Sequence, residues 1–152
     1  MRPVFVSSPA IVCEVGAYAS GDVLGGKIAL TGIGYNQPVI LRSAVLRCAV
    51  STSIAWDLFL FDADPSGSTF TENAAIAVVA ADLAKIAGVI NFATTDLRLA
   101  AAATMGVWTK PDLFMPMRPV TVGALWASIV PRGSITPGAV NAVSLELGFE
   151  LG

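Results

Sequence analysis

Histidine is absent from this 152-residue chain, and its absence removes most familiar catalytic centres. Ser-His-Asp and Cys-His sites both need an imidazole as the general base. The two cysteines, Cys13 and Cys48, lie in apolar stretches, form no CxxC motif and have no histidine to complete a zinc site. We therefore expect buried free thiols, no catalytic residues and no cofactor, so that the protein is not an enzyme.

Charge is also scarce. Only 13% of the residues are charged, against about 25% in a typical soluble domain, and the net charge is −2 with no run of Lys or Arg. A nucleic-acid partner would require a basic surface, so we expect none. The most apolar window, residues 74–92, contains Asp82 and Lys85 and is too polar for a membrane span. With 55% hydrophobic residues, the chain is expected to cover apolar surface by self-association or by binding a partner.

Short apolar segments dominate the pattern. Residues 54–61 (IAWDLFLF) are typical of a strand buried on most of both faces, and residues 143–151 (VSLELGFEL) alternate as a strand with one wet face does. Residues 81–86 (ADLAKI) are the best candidate for a short helix, and residues 74–79 could form a strand or a turn of helix. Residues 97–103 are predicted as a strand, although their alanine run, residues 100–103, could also be helical. About seven to nine strands at spacings of about ten residues predict an all-β antiparallel sandwich, most simply a jelly roll. We expect one domain, residues 1–152, that opens with either an arm at residues 1–10 or an edge strand.

The strand predicted at residues 39–50 has two arginines, Arg42 and Arg47, at an even and an odd position. In a regular strand they would lie on opposite faces. A β-bulge near Ser43 would bring both to the same face. After it, the short link at residues 51–53 favours a hairpin to the buried strand at residues 54–61.

An acidic loop, residues 62–68 (DADPSGS), directly follows that buried strand. Asp62 and Asp64 are weak candidates for a calcium site, because loop carboxylates are the ligands that calcium uses. The favoured interpretation is a structural turn, since Asp-x-Asp-Pro is ordinary Asx-turn chemistry. Paired catalytic carboxylates drawn from Asp57, Asp62, Asp64 and Glu72 are the least favoured alternative.

A segment with three prolines, residues 110–119 (KPDLFMPMRP), does not fit a central strand, yet its apolar side chains are poorly suited to water. Either they belong to the core or they form a contact surface. The interface candidates of the chain are Leu113, Phe114, Met115 and Met117, together with Val4 and Phe5 near the N-terminus.

Three segments carry a resemblance to a known family. They are GDVLGG at residues 21–26, LFLFDADPSGSTFTENAA at residues 58–75 and DLAKI at residues 82–86, about a fifth of the chain in a consistent order. In these segments the chain resembles small virion structural proteins of tailed bacteriophages. The resemblance implies a β-rich capsid decoration or cement protein, located on the capsid surface, that binds the major capsid protein as a homo-oligomer, most simply a trimer.

An alternative function is a carbohydrate-binding jelly roll that takes part in host recognition. Its stacking platform would come from Trp56, Trp108 or Trp126, with calcium held by the acidic loop. The composition and the resemblance favour the structural role.

Overall fold

A computed structural model describes residues 2–33, 37–50, 52–99, 105–120 and 124–151 and gives an all-β fold. Its strands are β1 (Arg2–Ser7), β2 (Leu24–Thr31), β3 (Val39–Cys48), β4 (Trp56–Phe61), β5 (Ile86–Phe92), β6 (Leu97–Leu99), β7 (Gly106–Lys110), β8 (Met115–Met117), β9 (Ala124–Pro131) and β10 (Val143–Leu151). The strand predicted at residues 97–103 begins as β6. Its alanine run, residues 100–103, lies outside the described residues.

The strands form two antiparallel sheets. One has six strands in the order β1-β10-β3-β7-β6, with β8 also paired to β3, and the other has four in the order β2-β9-β4-β5. The chain thus pairs from its ends inward, with β1 beside β10, β2 beside β9, β3 beside β7 and β8, and β4 beside β5. This arrangement results when a long two-stranded ribbon folds over into two packed sheets, which is the jelly roll. The predicted antiparallel sandwich is confirmed.

The hairpin predicted between β3 and β4 is wrong. β3 lies in the six-stranded sheet between β10 and the pair β7 and β8, whereas β4 lies in the four-stranded sheet between β9 and β5. A short polar link can close a hairpin or cross between packed sheets, and local sequence does not separate the two. Here the link crosses, because other strands already pair with both edges of β3 and of β4.

Of the two alternatives for the N-terminus, the structure has the edge strand. β1 pairs with β10 along its whole length, from Arg2 opposite Leu151 to Ser7 opposite Glu146. The ladder continues to Ser8, whose backbone N–H donates to the Leu145 carbonyl at 2.8 Å. Pro3 is tolerated in this strand because an edge strand leaves alternate N–H groups unpaired.

The predicted β-bulge is confirmed. Ser43 pairs with Gly148 while Leu41 pairs with Phe149, which leaves Arg42 as the extra residue of β3. The bulge reverses the side-chain alternation once, so that Arg42 and Arg47 both lie on the outer face of the six-stranded sheet.

The space between the sheets is filled by apolar side chains around two tryptophans. Trp56 from β4 and Trp108 from β7 meet edge to face, with ring centroids 5.5 Å apart, and the Trp108 indole N–H donates to the Ile54 carbonyl at 3.1 Å. Cys13 and Cys48 are buried in the same core as free thiols, as predicted.

The helix predicted at residues 81–86 is a single turn, α1 (Ala80–Leu83). Ile86 instead opens β5 and pairs with Phe61. Strand pairing and packing against the sheet therefore override helix propensity at the end of this segment.

Candidate interaction surface

The outer face of the four-stranded sheet is covered by the chain itself. Residues 62–79, which we name the flap, leave the end of β4 and fold back across that face. Phe70 and Val78 of the flap pack on Phe61 and Trp126, with the rings of Phe61 and Phe70 edge to face at 5.6 Å. This second, smaller core explains why every residue of β9 is buried, although only alternate side chains face the other sheet.

Glu72 fixes the tip of the flap. One carboxylate oxygen accepts hydrogen bonds from the Tyr18 hydroxyl and from the Glu14 backbone N–H, and the other accepts the Gly25 backbone N–H at 2.5 Å. Burial and the bond to Glu72 both raise the pKa of Tyr18. Backbone bonds between Val23 and the flap complete the attachment.

Asp82 fixes the base of the flap. Its side chain is only 1% exposed and accepts hydrogen bonds from the Ser68 hydroxyl and the Lys85 ammonium group, both at 2.7 Å. These two donors hold the pKa of Asp82 below its usual value. Lys85 also donates to the Asp64 carbonyl at 2.7 Å. Its ammonium group therefore joins the start of the flap, at Asp64, to Asp82 in α1.

The acidic loop has the contacts of a structural turn. Asp64 pairs with Lys27 at 2.5 Å, the Asp62 carbonyl accepts the Val120 N–H, and the Ser68 N–H donates to the Pro65 carbonyl. Burial raises the pKa of Asp62. Within the described ranges, no group of three His, Cys, Asp or Glu residues is placed to hold a metal ion.

The prediction of a tryptophan stacking platform, made for the carbohydrate-binding alternative, is wrong. Trp56 and Trp108 are fully buried between the sheets, and Trp126 is 9% exposed beneath the flap. A stacking platform requires an accessible ring face, which none of the three has. The part of the chain that the structure describes also contains no pocket.

The outer face of the six-stranded sheet, which we name the open face, has no such cover. Phe5 projects from β1 and is 71% exposed, and Phe114 precedes β8 and is 67% exposed. A Cβ added at Gly148 would come within 3.2 Å of the Phe5 ring, which shows that this ring lies across β10. Large exposed aromatic side chains on one flat face are typical of protein contact sites.

The charged side chains of β3 and β10 on the open face lie in pairs. Arg42 bonds Glu150 at 2.7 Å, and Arg47 lies 3.8 Å from Glu146. The Arg42 guanidinium also stacks on the Phe114 ring, 5.0 Å from its centroid, so this ring is held against the sheet by a cation–π contact. A face with paired charges and exposed rings suits a protein partner better than a strongly charged ligand.

The six interface candidates divide by the face of the sheet on which they lie. Phe5 and Phe114 are on the open face, whereas Val4, Leu113 and Met115 are partly buried against the core and Met117 is buried. The side chain of Met115 reaches across to Gly88 of the opposite sheet. The short strand β8, paired with β3, puts Met115 and Met117 on the inner face, and the proline-rich sequence gave no sign of that pairing.

Sequence reasoning did not connect the polar members of the open face to the aromatic ones. Arg42 and Glu150 belong to strands that are far apart in the chain and adjacent in the sheet. Two sequence signals indicated which charged residues lie on this face: the positions of Arg42 and Arg47 along β3, and the alternation of apolar and polar residues in β10. The strand order that brings them beside Phe5 and Phe114 depends on long-range pairing.

No protein-family model and no curated protein matches the chain. Among solved structures, the chain is similar to one titled infectious bursal disease virus Gt strain, with 14% identity over 99% of this chain and 40% of the other, and a TM-score of 0.34. The native virion of Kashmir bee virus gives 15% identity over 99% and 70% of the two chains and a TM-score of 0.31. A hydroquinone 1,2-dioxygenase from Sphingomonas sp. TTNP3 gives 12% identity over 82% and 60%, with a TM-score of 0.23.

Viral capsid proteins are thus among the structures to which this chain is similar. The chain spans less than half of the first of them. TM-scores this low carry no argument about function. The jelly-roll assignment rests on the strand pairing.

Proposed function

We propose that this chain is a structural protein of a bacteriophage virion that decorates or cements the major capsid shell as a homo-oligomer. The observation that carries the proposal is the open face, where two phenylalanines that are each about two-thirds exposed lie beside the paired charges of β3 and β10. Such a face is costly to leave in water and is well suited to contact with another protein.

Two further features support this role. The residues that resemble tailed-phage virion proteins include most of β4 and most of the flap, which are consecutive in the fold. The low charge of the chain also agrees with a protein whose surface is partly covered in its working state. The role proposed is one of binding, with no catalytic step.

The test uses particles of the virus that encodes the chain, prepared with and without its gene. Wild-type particles are expected to contain the 15.6 kDa protein at fixed positions on the shell by cryo-electron microscopy. Particles without it are expected to release DNA at a lower temperature, and added purified protein should bind to saturation and restore the release temperature. Particles that never contain the protein, or shells that do not bind it, would overturn the proposal.

A further inference from the structure

The open face has an ordered arrangement of rows. Across the sheet in the order β1, β10, β3 and β8, it presents Phe5, then the glutamates of β10, then the arginines of β3, then Phe114. Phe5 lies opposite Gly148, which pairs with Ser43, and Phe114 contacts Arg42 next to that serine. Both rings are therefore at the same level along the strands, on opposite sides of the β10–β3 pair.

The open face is complementary to the same face of a second copy under one symmetry operation. A two-fold axis parallel to the strands, placed between β10 and β3 in the contact plane, lays β3 of one copy over β10 of the other. Height along the strands is kept. Arg42 and Arg47 of one copy then lie diagonally across from Glu150 and Glu146 of the other, two residues along β3 from the register partners Ile40 and Val45. The backbones at Phe5 and Phe114 are each about 7 Å from the axis by the usual strand spacing, so the two residues exchange places and their inward-leaning rings meet across the contact.

We infer that the open face binds a second copy of this chain through that two-fold contact. The inference rests on the proposed structural role only in taking the open face as a protein contact. Its support is charge complementarity, because a row of arginines meets a row of glutamates in both halves of an isologous interface. The intramolecular pairs Arg42–Glu150 and Arg47–Glu146 are kept and become members of a four-charge group.

The size of the face sets the expected strength. Four strands span about 19 Å and six residues about 20 Å, which is on the order of 400 Å² of projected area on each copy. Interfaces of this size are at the small end of specific contacts. We therefore expect a reversible dimer with a dissociation constant in the range of about 1–100 μM, which analytical ultracentrifugation can follow.

Charge reversal tests the matching of the rows. Arg42→Glu/Arg47→Glu makes both central rows, on β3 and β10, acidic, and Glu146→Arg/Glu150→Arg makes both basic. Each variant alone should dimerise at least about a hundredfold more weakly than wild type. A mixture of the two should form a 1:1 dimer, visible by native mass spectrometry. Dimers of either variant at wild-type strength, or a mixture that stays monomeric, would overturn the inference. Circular dichroism verifies that both variants are folded.

Cross-linking tests the axis independently of the charges. Phe5→Cys and Phe114→Cys variants, one of them mass-labelled, are mixed and treated with a short bis-maleimide, while the native Cys13 and Cys48 are buried. The expected product is the covalent pair of Phe5→Cys with Phe114→Cys, in clear excess over either like pair. Equal yields of all three pairs, or an excess of a like pair, would contradict the two-fold arrangement. A Leu83→Cys variant, exposed at the flap side of the molecule, is the control that should not cross-link.

The two proposals fail differently. The two-fold dimer would be overturned if the wild-type protein stays monomeric at about ten times the upper end of the expected dissociation constant. A particle with three times the monomer mass would also overturn it. Binding to the shell would remain an independent result in both cases. Conversely, a dimer with the expected cross-links that does not bind the shell would overturn the virion role and leave the two-fold contact intact.

Discussion

Two carboxylates near the flap show how side-chain surroundings decide the sign of a contribution to stability. Asp82 is surrounded by donors that favour its charged form, and its pKa is lowered. Asp62, the first residue of the flap, is partly buried without a side-chain donor among the residues that the structure describes, and burial raises its pKa. The same residue type therefore stabilises the fold at neutral pH in one place and destabilises it in the other.

Replacing each by asparagine should have opposite results. Asp82→Asn should lower the melting temperature at pH 7, because Lys85 loses the partner carboxylate. Since the folded pKa of Asp82 is below the unfolded value of about 4, its contribution is complete above that value and is lost as the pH falls through the folded pKa. The deficit of Asp82→Asn should thus shrink in acid. Asp62→Asn should be neutral or stabilising at pH 7, within about 0.5 kcal/mol. Thermal melts from pH 3 to pH 7 measure both, and equal losses in both variants would contradict this.

The thiols of the two cysteines should react slowly in the folded protein. Burial raises the pKa of both thiols, and the thiolate is the reactive form, so Cys13 and Cys48 should label slowly with a maleimide at pH 7 and fully in denaturant. Phe114→Cys provides an exposed thiol in the same fold as a positive control. Fast labelling of the native wild-type protein would show that the region around Cys13 opens readily.

At the scale of elements, the flap makes the two faces of the sandwich different. It covers the four-stranded sheet with a small cluster of its own and depends on Glu72 at its tip and on the Asp82 group at its base. The six-stranded sheet has no comparable element in the described part of the chain, which is why its outer face carries the exposed rings.

Glu72→Gln should loosen the flap without unfolding the sandwich. The amide cannot accept the donors of Tyr18 and Gly25 with the strength of a carboxylate, and the loss should be roughly 1–3 kcal/mol of local stability. Hydrogen exchange should become faster in the flap and at the start of β2 and stay unchanged in β3 and β10. Asp64→Asn is the matched control, because the side chain of Asp64 forms an exposed pair with Lys27, worth about 0–1 kcal/mol, and the backbone carbonyl that binds Lys85 is unchanged. Uniform faster exchange would mean that the flap is not a separate unit.

The elements also show what could be predicted from the sequence. β10 and the bulge near Ser43 could be predicted because alternation and parity are local. The crossing link after β3 and the pairing of β8 could not, since both depend on which distant strand occupies an edge. The same reason separates the interface candidates, because whether Phe114 or Met117 faces solvent follows from the pairing of β8 with β3.

At the scale of the whole molecule, fold stability and association use different residues of the same segment. Met117 is buried in the core, while Phe114, three residues earlier, is exposed on the open face. Met117→Asp should cost several kcal/mol and leave little folded protein, because it buries an unpaired carboxylate. Phe114→Asp should leave the fold of the monomer within about 0.5 kcal/mol of wild type. A folded Met117→Asp variant would show that β8 is not part of the sandwich.

Coupling between association and folding gives the last prediction. A partner that binds only the folded state stabilises it by mass action, so the wild-type melting temperature should rise with protein concentration. At about a hundred times the dissociation constant the stabilisation is about 2.7 kcal/mol, which corresponds to roughly 5–10 °C for a domain of this size. Phe114→Asp should melt at one temperature over the same range and coincide with wild type at high dilution. Val12→Asp, at an equally exposed apolar residue on the loop before Cys13, should keep the concentration dependence. If the melting temperature of the wild-type protein does not change with concentration, no contact between copies contributes to the stability of the fold. The open face would then not be a site of self-association.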